Sequence, residues 1–315
     1  MCERFADVAR PVVRELHRLA ADAILFFGDD TGAKILDTRW KVKPRRKDGE
    51  LELRTGCHTT CIIAVTPDNR AITLFATGIH HTGEVMDLVV GQRTPGLSPP
   101  VFMGDCISSN TVTKSVVLYA GCNAHAVRKF KDLADRYPEH TAFALERYEK
   151  IFEVEAECKA QGLGPEARRD RHNKVSLSLL EEIRDHGHEL IEGRKIEPNS
   201  DIAAAYNYVI DNFRRLSAFT RDLHAPLDNN RCERELKISI QLRDSARFFR
   251  NTVGAGVADG TLTLGATGLG TGANLPDYFT ALQRNAADVR AHPELWLPWC
   301  YQARLEELEN HRFES

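Results

Sequence analysis

Three acidic positions stand where a sheet can gather carboxylates. Ile24-Leu25-Phe26-Phe27 is a short apolar run that leads into Gly28-Asp29-Asp30-Thr31, and Pro100-Val101-Phe102-Met103-Gly104-Asp105 repeats the pattern. Such runs read as buried strands, each expected to end in an aspartate. Carboxylates meeting at one sheet edge hold hard divalent cations such as Mg2+, which prefer oxygen ligands. Two such ions about 3.5–4 Å apart clamp the attacking and leaving oxygens of a phosphodiester displacement. Aspartates after strands are also ordinary turn formers, so spacing leaves both readings open. Glu233 is the third acid, near the start of a helix expected over 229–240. With Asn230 as N-cap it closes a capping box, a contact worth about 1 kcal/mol or less; it can equally ligate a metal.

Cys122-Asn123-Ala124-His125 invites a zinc reading, with Cys57, His58 and Cys61 as partners. Strand geometry opposes it. Cys57 and Cys61 lie about 13 Å apart on an extended chain at roughly 3.3 Å per residue, too far to share an ion bound at about 2.3 Å. On the helix expected over 124–136, His125, Arg128, Lys129 and Asp132 recur at i, i+3, i+4 and i+7. They form a polar face opposite Val127, Phe130 and Leu133. That face either meets solvent or meets phosphate.

The elements that must carry these residues follow from periodicity. Val8, Val12, Leu16 and Leu19 predict an amphipathic helix over 1–20. Thr59 to Val65 and Ala71 to Thr77, joined by Pro67-Asp68-Asn69, predict a hairpin. A helix is expected around 83–90, a strand over 116–120, then helical periodicity alone from 138 to 217. The chain divides as 1–137, a helical insertion at 138–217, 218–290, and a tail at 291–315. The stretch 39–54 carries seven bases, Arg39, Lys41, Lys43, Arg45, Arg46, Lys47 and Arg54, against three acids. Pro44 and Gly49 make it a loop or exposed hairpin arm. A second basic run holds Arg234, Lys237, Arg243, Arg247 and Arg250. Gly268-Leu269-Gly270 lacks the flanking strand, turn and helix of a nucleotide loop.

The 315 residues carry 42 bases against 45 acids, a net charge of −3, which excludes a strongly basic nucleic-acid binder. Any contact with DNA must come from local clustering. No run approaches 18 apolar residues, so no membrane helix is expected. The charged start, Met-Cys-Glu-Arg-Phe-Ala-Asp, does not fit a secretory signal. The eight scattered cysteines then read as reduced thiols of a cytoplasmic protein.

Several blocks, in order, resemble the insertion-sequence-66 transposases: Gly28-Asp29-Asp30-Thr31, Arg54-Thr55-Gly56-Cys57-His58-Thr59-Thr60, Met103-Gly104-Asp105, Gly121 to Phe130, Ala225 to Arg234, and Pro298-Trp299-Cys300-Tyr301. The blocks from Gly121 and from Ala225 are the most specific. The resemblance implies an α/β, RNase H-like mixed sheet with helices, interrupted by an all-helical insertion. It implies a Mg2+-dependent DDE transposase of a bacterial insertion sequence, which cleaves DNA strands and transfers them. Asp29, Asp105 and Glu233 would be the catalytic metal ligands, with Asp30 the alternative for the first. Two Mg2+ ions are expected, Mn2+ substituting. Partners would be transposon ends and target DNA, further copies of the chain, and accessory proteins. Phosphate contacts would fall to His125, Arg128, Lys129, Arg45, Arg46, Lys47, Arg234, Lys237, Arg243 and Arg247.

The sequence also departs from the family's pattern. Asn123 stands where a large residue, usually tryptophan, is expected. Arg243-Asp244-Ser245 replaces an Arg-Lys-Asn signature. Glycine-rich sequence over 265–272 takes the place of a helix. With Asp29 within the first thirty residues, a DNA-recognition module ahead of the core is expected to be missing, as in a core fragment, a short reading frame or a protein that relies on a partner to find DNA ends. These departures raise two alternatives: an inactive DNA-binding relic of the same fold, or a metal-dependent nuclease without strand transfer.

Overall fold

Of the predicted face of the first helix, α1 (Cys2–Ala21), Val12 and Leu16 are buried and Val8 and Leu19 half-buried, with Ala20 buried beside them. The computed structural model describes residues 2–37, 43–47, 50–54 and 56–313, with 2, 43–47, 50–54 and 311–313 as backbone. The chain forms two units. The first joins Met1–Pro100, Ser109–Val116 and Cys232–Ser315; the second joins Val101–Ser108 and Val117–Arg231.

In the first unit, β1 (Leu25–Ala33) is followed by a basic hairpin of β2 (Lys43–Lys47) and β3 (Glu50–Arg54), then β4 (Cys57–Val65) and β5 (Ala71–Gly78). The order is β5-β4-β1, antiparallel throughout. β1 does not end at its acids: Asp29 pairs with Cys61, Asp30 with Thr60, and pairing continues to Ala33 opposite Cys57. The β-branched start of β4 offers a backbone partner beyond the apolar run, so the strand outlasts its hydrophobic signal. Next comes α2 (Thr82–Val90). Its Asp87 accepts the N–H groups of Thr113, Lys114 and Ser115 and so fixes that loop.

The second unit pairs β6 (Val101–Gly104) in parallel with β7 (Leu118–Gly121). A Cβ on Gly121 would lie 2.7 Å from Cys106 Sγ, so the close approach needs glycine. Then follow α3 (Asn123–Lys131), α4 (Pro138–Ala160), α5 (Pro165–Glu192), α6 (Asp201–Asp211) and the short α7 (Phe213–Leu216). Pro138 and Pro165 open their helices at the position where a missing N–H costs nothing. Ser200 Oγ caps α6 by accepting the N–H of Ala203.

The chain continues with α8 (Asn230–Ala246), α9 (Thr252–Gly270), α10 (Leu275–Arg284), α11 (Ala286–Ala291) and α12 (Tyr301–Phe313). The glycine-rich stretch expected to replace a helix is a helix, α9. β5 is the edge strand of its sheet, and α9 satisfies its outward N–H groups. Those of Thr73, Phe75 and Thr77 donate to Thr267 Oγ1, Thr263 Oγ1 and Asp259 Oδ2 at 3.1, 3.1 and 2.7 Å. Four helical residues advance about 6.0 Å and two strand residues about 6.7 Å, so the two ladders stay in step. Helix propensity disfavours glycine by about 1 kcal/mol per residue, but tertiary hydrogen bonds and close packing outweigh it here.

The mixture of antiparallel and parallel pairing with many helices makes the chain α/β. Among the described residues, no helix is long and apolar enough to cross a membrane.

Candidate active site

Strand alternation decides which way each acid of β1 faces. Asp29 shares a face with its cross-strand partner Cys61. α8 crosses that face, and Cys232 Sγ donates to the carbonyl oxygen of Cys61 at 3.3 Å. Glu233 follows Cys232 directly. The Cys232 thiol is held well above its ordinary pKa, first by its hydrogen bonding to Cys61, then by burial and by the negative charges of Asp29 and Glu233. α8 thus runs beside the strand pair that carries Asp29. Glu233 does not have the capping position expected of it. Asn230 lies inside the helix rather than before it, and its N–H goes to Asp228 Oδ1 at 3.0 Å.

Asp30 faces the other way. Its Oδ2 accepts from the backbone N–H and the hydroxyl of Thr82, both at 3.2 Å, and lies 3.1 Å from His81 Nδ1. Its Oδ1 lies 3.9 Å from His58 Nδ1. Asp30 is thus engaged with the start of α2, on the face opposite Asp29.

In the second unit, Asp105 follows β6 directly, as the sequence predicts. Tyr208 of α6 donates its hydroxyl to Asp105 Oδ1 at 2.9 Å. Burial first, then the neighbouring Cys106 and Asp105, pushes the Tyr208 pKa far up, so the phenol remains a donor. Lys129 Nζ lies 4.5 Å from the centre of the Tyr208 ring, a cation–π contact. Sequence patterning does not single out Tyr208; only the fold brings it to Asp105.

Cys122 precedes α3, fully buried. Its sulfur accepts the N–H of Asn229 at 3.2 Å, and burial pushes its pKa up to about 12. Asn123, the departure at this block, is buried as well. Its side-chain amide donates to the carbonyls of Leu216 and Leu227 at 2.9 and 3.2 Å, so polar clamping replaces the packing of a large ring. His125 is half-buried; Arg128 and Lys129 are exposed.

Among the other bases, Arg234 and Lys237 are exposed on α8 and Arg247 lies beyond its end. Arg243 is engaged: Nη1 donates to Gly32 O at 2.7 Å and Thr31 Oγ1 at 3.1 Å. Arg45, Arg46 and Lys47 lie on β2, described as backbone only; Arg39 and Lys41 lie outside the described residues.

The family described as Transposase IS66 family matches residues 1–257. The chain belongs to this IS66 family. The matched stretch contains Asp29, Asp105, Glu233 and the block around His125. The chain is also similar to y4hP, an uncharacterized protein of Sinorhizobium fredii (strain NBRC 101917 / NGR234). The two are 29% identical over 168 residues, which cover 48% of this chain and 29% of that protein. The match thus takes in less than a third of that relative's length. No solved structure matches the chain.

Proposed function

We propose that this IS66 family member is a DDE transposase on an RNase H-like core, acting on transposon ends and target DNA. In this reading Asp29, Asp105 and Glu233 hold two Mg2+ ions, and residues 138–217 are an insertion within the core. One observation carries the proposal: Cys232, next to Glu233 on α8, bonds the carbonyl oxygen of Cys61, the cross-strand partner of Asp29, so two acids far apart in sequence lie on neighbouring elements. The donor set fits the metal, since three carboxylates offer only oxygen, as Mg2+ requires. Asp29 is preferred over Asp30 because Asp30 is bound to Thr82 and His81 on the opposite face.

Bound Mg2+ supplies activation of an attacking oxygen and stabilisation of the leaving oxygen. The chain's own residues do the rest. Tyr208 fixes the rotamer of Asp105 by donating to Oδ1. Lys129, steered by the Tyr208 ring, presents a positive charge to phosphate with Arg128 beside it. Arg234 and Lys237 do the same from α8, and further copies of the chain assemble on paired ends.

The test is strand cleavage and joining on end-bearing DNA with Mg2+ or Mn2+. Asp29→Asn, Asp105→Asn and Glu233→Gln should each lower the rate on the order of 10²–10³-fold, while Asp30→Asn keeps cleavage. Wild-type protein that cleaves nothing with either metal would overturn the reading. The commitment of Arg243 to β1, beside the lost Arg-Lys-Asn signature, favours one rival, a DNA-binding relic. That rival predicts binding that survives Asp105→Ala with no cleavage. A precleaved end that is never joined marks a nuclease instead.

A further inference from the structure

We propose that Asp30, His58 and His81 form a second metal site, for a borderline divalent transition metal such as Zn2+. It is separate from the carboxylates of the proposed active site and faces the other side of β1. The three residues come from β1, β4 and the residue preceding α2, so the fold rather than one local motif brings them together. One ligand atom from each lies within 4.8 Å of the other two. Both imidazoles turn the same atom inward: Nδ1 of His81 lies 3.1 Å from one Asp30 oxygen, and Nδ1 of His58 lies 3.9 Å from the other. Ligand atoms bound tetrahedrally at 2.0–2.1 Å stand about 3.4 Å apart, and the two observed separations bracket that value. The ring centres are 3.9 Å apart, so the two imidazoles are already side by side.

The donor chemistry selects the metal. Two imidazoles and one carboxylate suit Zn2+, Fe2+, Co2+ or Ni2+ and not Mg2+, which keeps oxygen ligands. Thr82 holds the carboxylate from behind with its N–H and hydroxyl, the outer support that metal-ligating groups carry. The side chains are 16–24% exposed, enough for an ion to enter from solvent. His80 is excluded from the set: its Nδ1 is turned toward Glu84, 3.7 Å from Oε2. Bound there, an ion would join β1, β4 and the start of α2.

The full chain, stripped with a chelator and titrated with Zn2+ in excess Mg2+, tests this. One equivalent should bind and raise the melting temperature. Co2+ should give a nitrogen- and oxygen-ligated spectrum without thiolate charge transfer. His58→Ala and His81→Ala should each weaken Zn2+ at least about tenfold. Asp30→Asn, whose amide oxygen can still accept from Thr82, should weaken Zn2+ while the chain stays folded by circular dichroism. Asp29→Asn and Glu233→Gln should keep Zn2+ affinity, which separates this site from the proposed catalytic one. The proposal fails if the wild type binds no Zn2+ in excess Mg2+, or if Co2+ shows thiolate ligation. It fails too if the folded Asp30→Asn variant binds Zn2+ as the wild type does, since the three residues would then only anchor α2.

Discussion

Single side chains carry the sharpest consequences. Tyr208→Phe removes the donor to Asp105 without removing the ring beneath Lys129. Loss of such an outer partner weakens metal affinity or activity by about 10–100-fold. Mg2+-dependent cleavage by Tyr208→Phe should drop by that much, with more Mg2+ needed for half-maximal rate; an unchanged Mg2+ dependence would refute a positioning role. Glu155 gives a stability test away from the site. Burial alone would raise its pKa, but hydrogen bonds from His172 and Arg168, with the charges of Arg168 and Lys159, outweigh it and lower the value to about 2. A depressed carboxyl pKa contributes stability above the unfolded value near 4.5 that is lost as pH falls toward 2. Glu155→Gln should therefore cost on the order of 3 kcal/mol at pH 7, and the gap from wild type should narrow below about pH 4.5 and close only near pH 2 in denaturant melts. The acids of the proposed site can be read in the sequence as types and spacings. Their orientation cannot: Asp29 and Asp30 differ only by strand alternation and by what packs on each face. The approach of His81 to His58 needs the β4–β5 hairpin and the turn into α2, which residue spacing does not encode.

At the scale of elements, the chain was readable wherever hydrophobic periodicity decided. β1, β4 and β5, the strand before Asp105, and the helices over 138–217 announce themselves in this way. α9 did not, because glycine argues against helix and its reasons for folding are tertiary. Thr263, Thr267 and Asp259 recur at i, i+4 and i+8, but polar residues at that spacing normally face water, and nothing local says that they meet an open sheet edge. Thr263 shows what this edge contact is worth. Its hydroxyl accepts the N–H of Phe75, and both residues are buried. Thr263→Val keeps the shape and leaves that N–H without its acceptor, which costs about 1–3 kcal/mol. Equilibrium unfolding should show that loss, and hydrogen exchange should quicken at the Phe75 amide. If Phe75 exchanges as before, α9 does not seal the edge.

For the whole molecule, net charge and DNA binding look opposed only if charge is averaged. A chain at −3 can bind a polyanion when its bases are exposed together and its acids are used elsewhere. Many of its acids are used internally: Asp87 on a loop, Glu155 in a buried network, and Asp288 on Arg304 and Trp296. Its bases also divide. Arg243 is tied to Gly32 and Thr31, whereas Arg234 and Lys237 stand exposed one helical turn apart beside Glu233. The two kinds should respond differently. Each phosphate contact removed lowers the slope of log affinity against log salt by about 0.9 on duplex DNA. Arg234→Ala with Lys237→Ala should therefore reduce that slope by about 2 and leave unfolding stability within about 0.5 kcal/mol of wild type. Arg243→Ala should do the reverse, costing stability through the lost bonds to β1 while the salt slope stays. Equal slopes for wild type and the double variant would remove α8 from the DNA-contacting surface and return the phosphate contacts to the β2–β3 arm and α3.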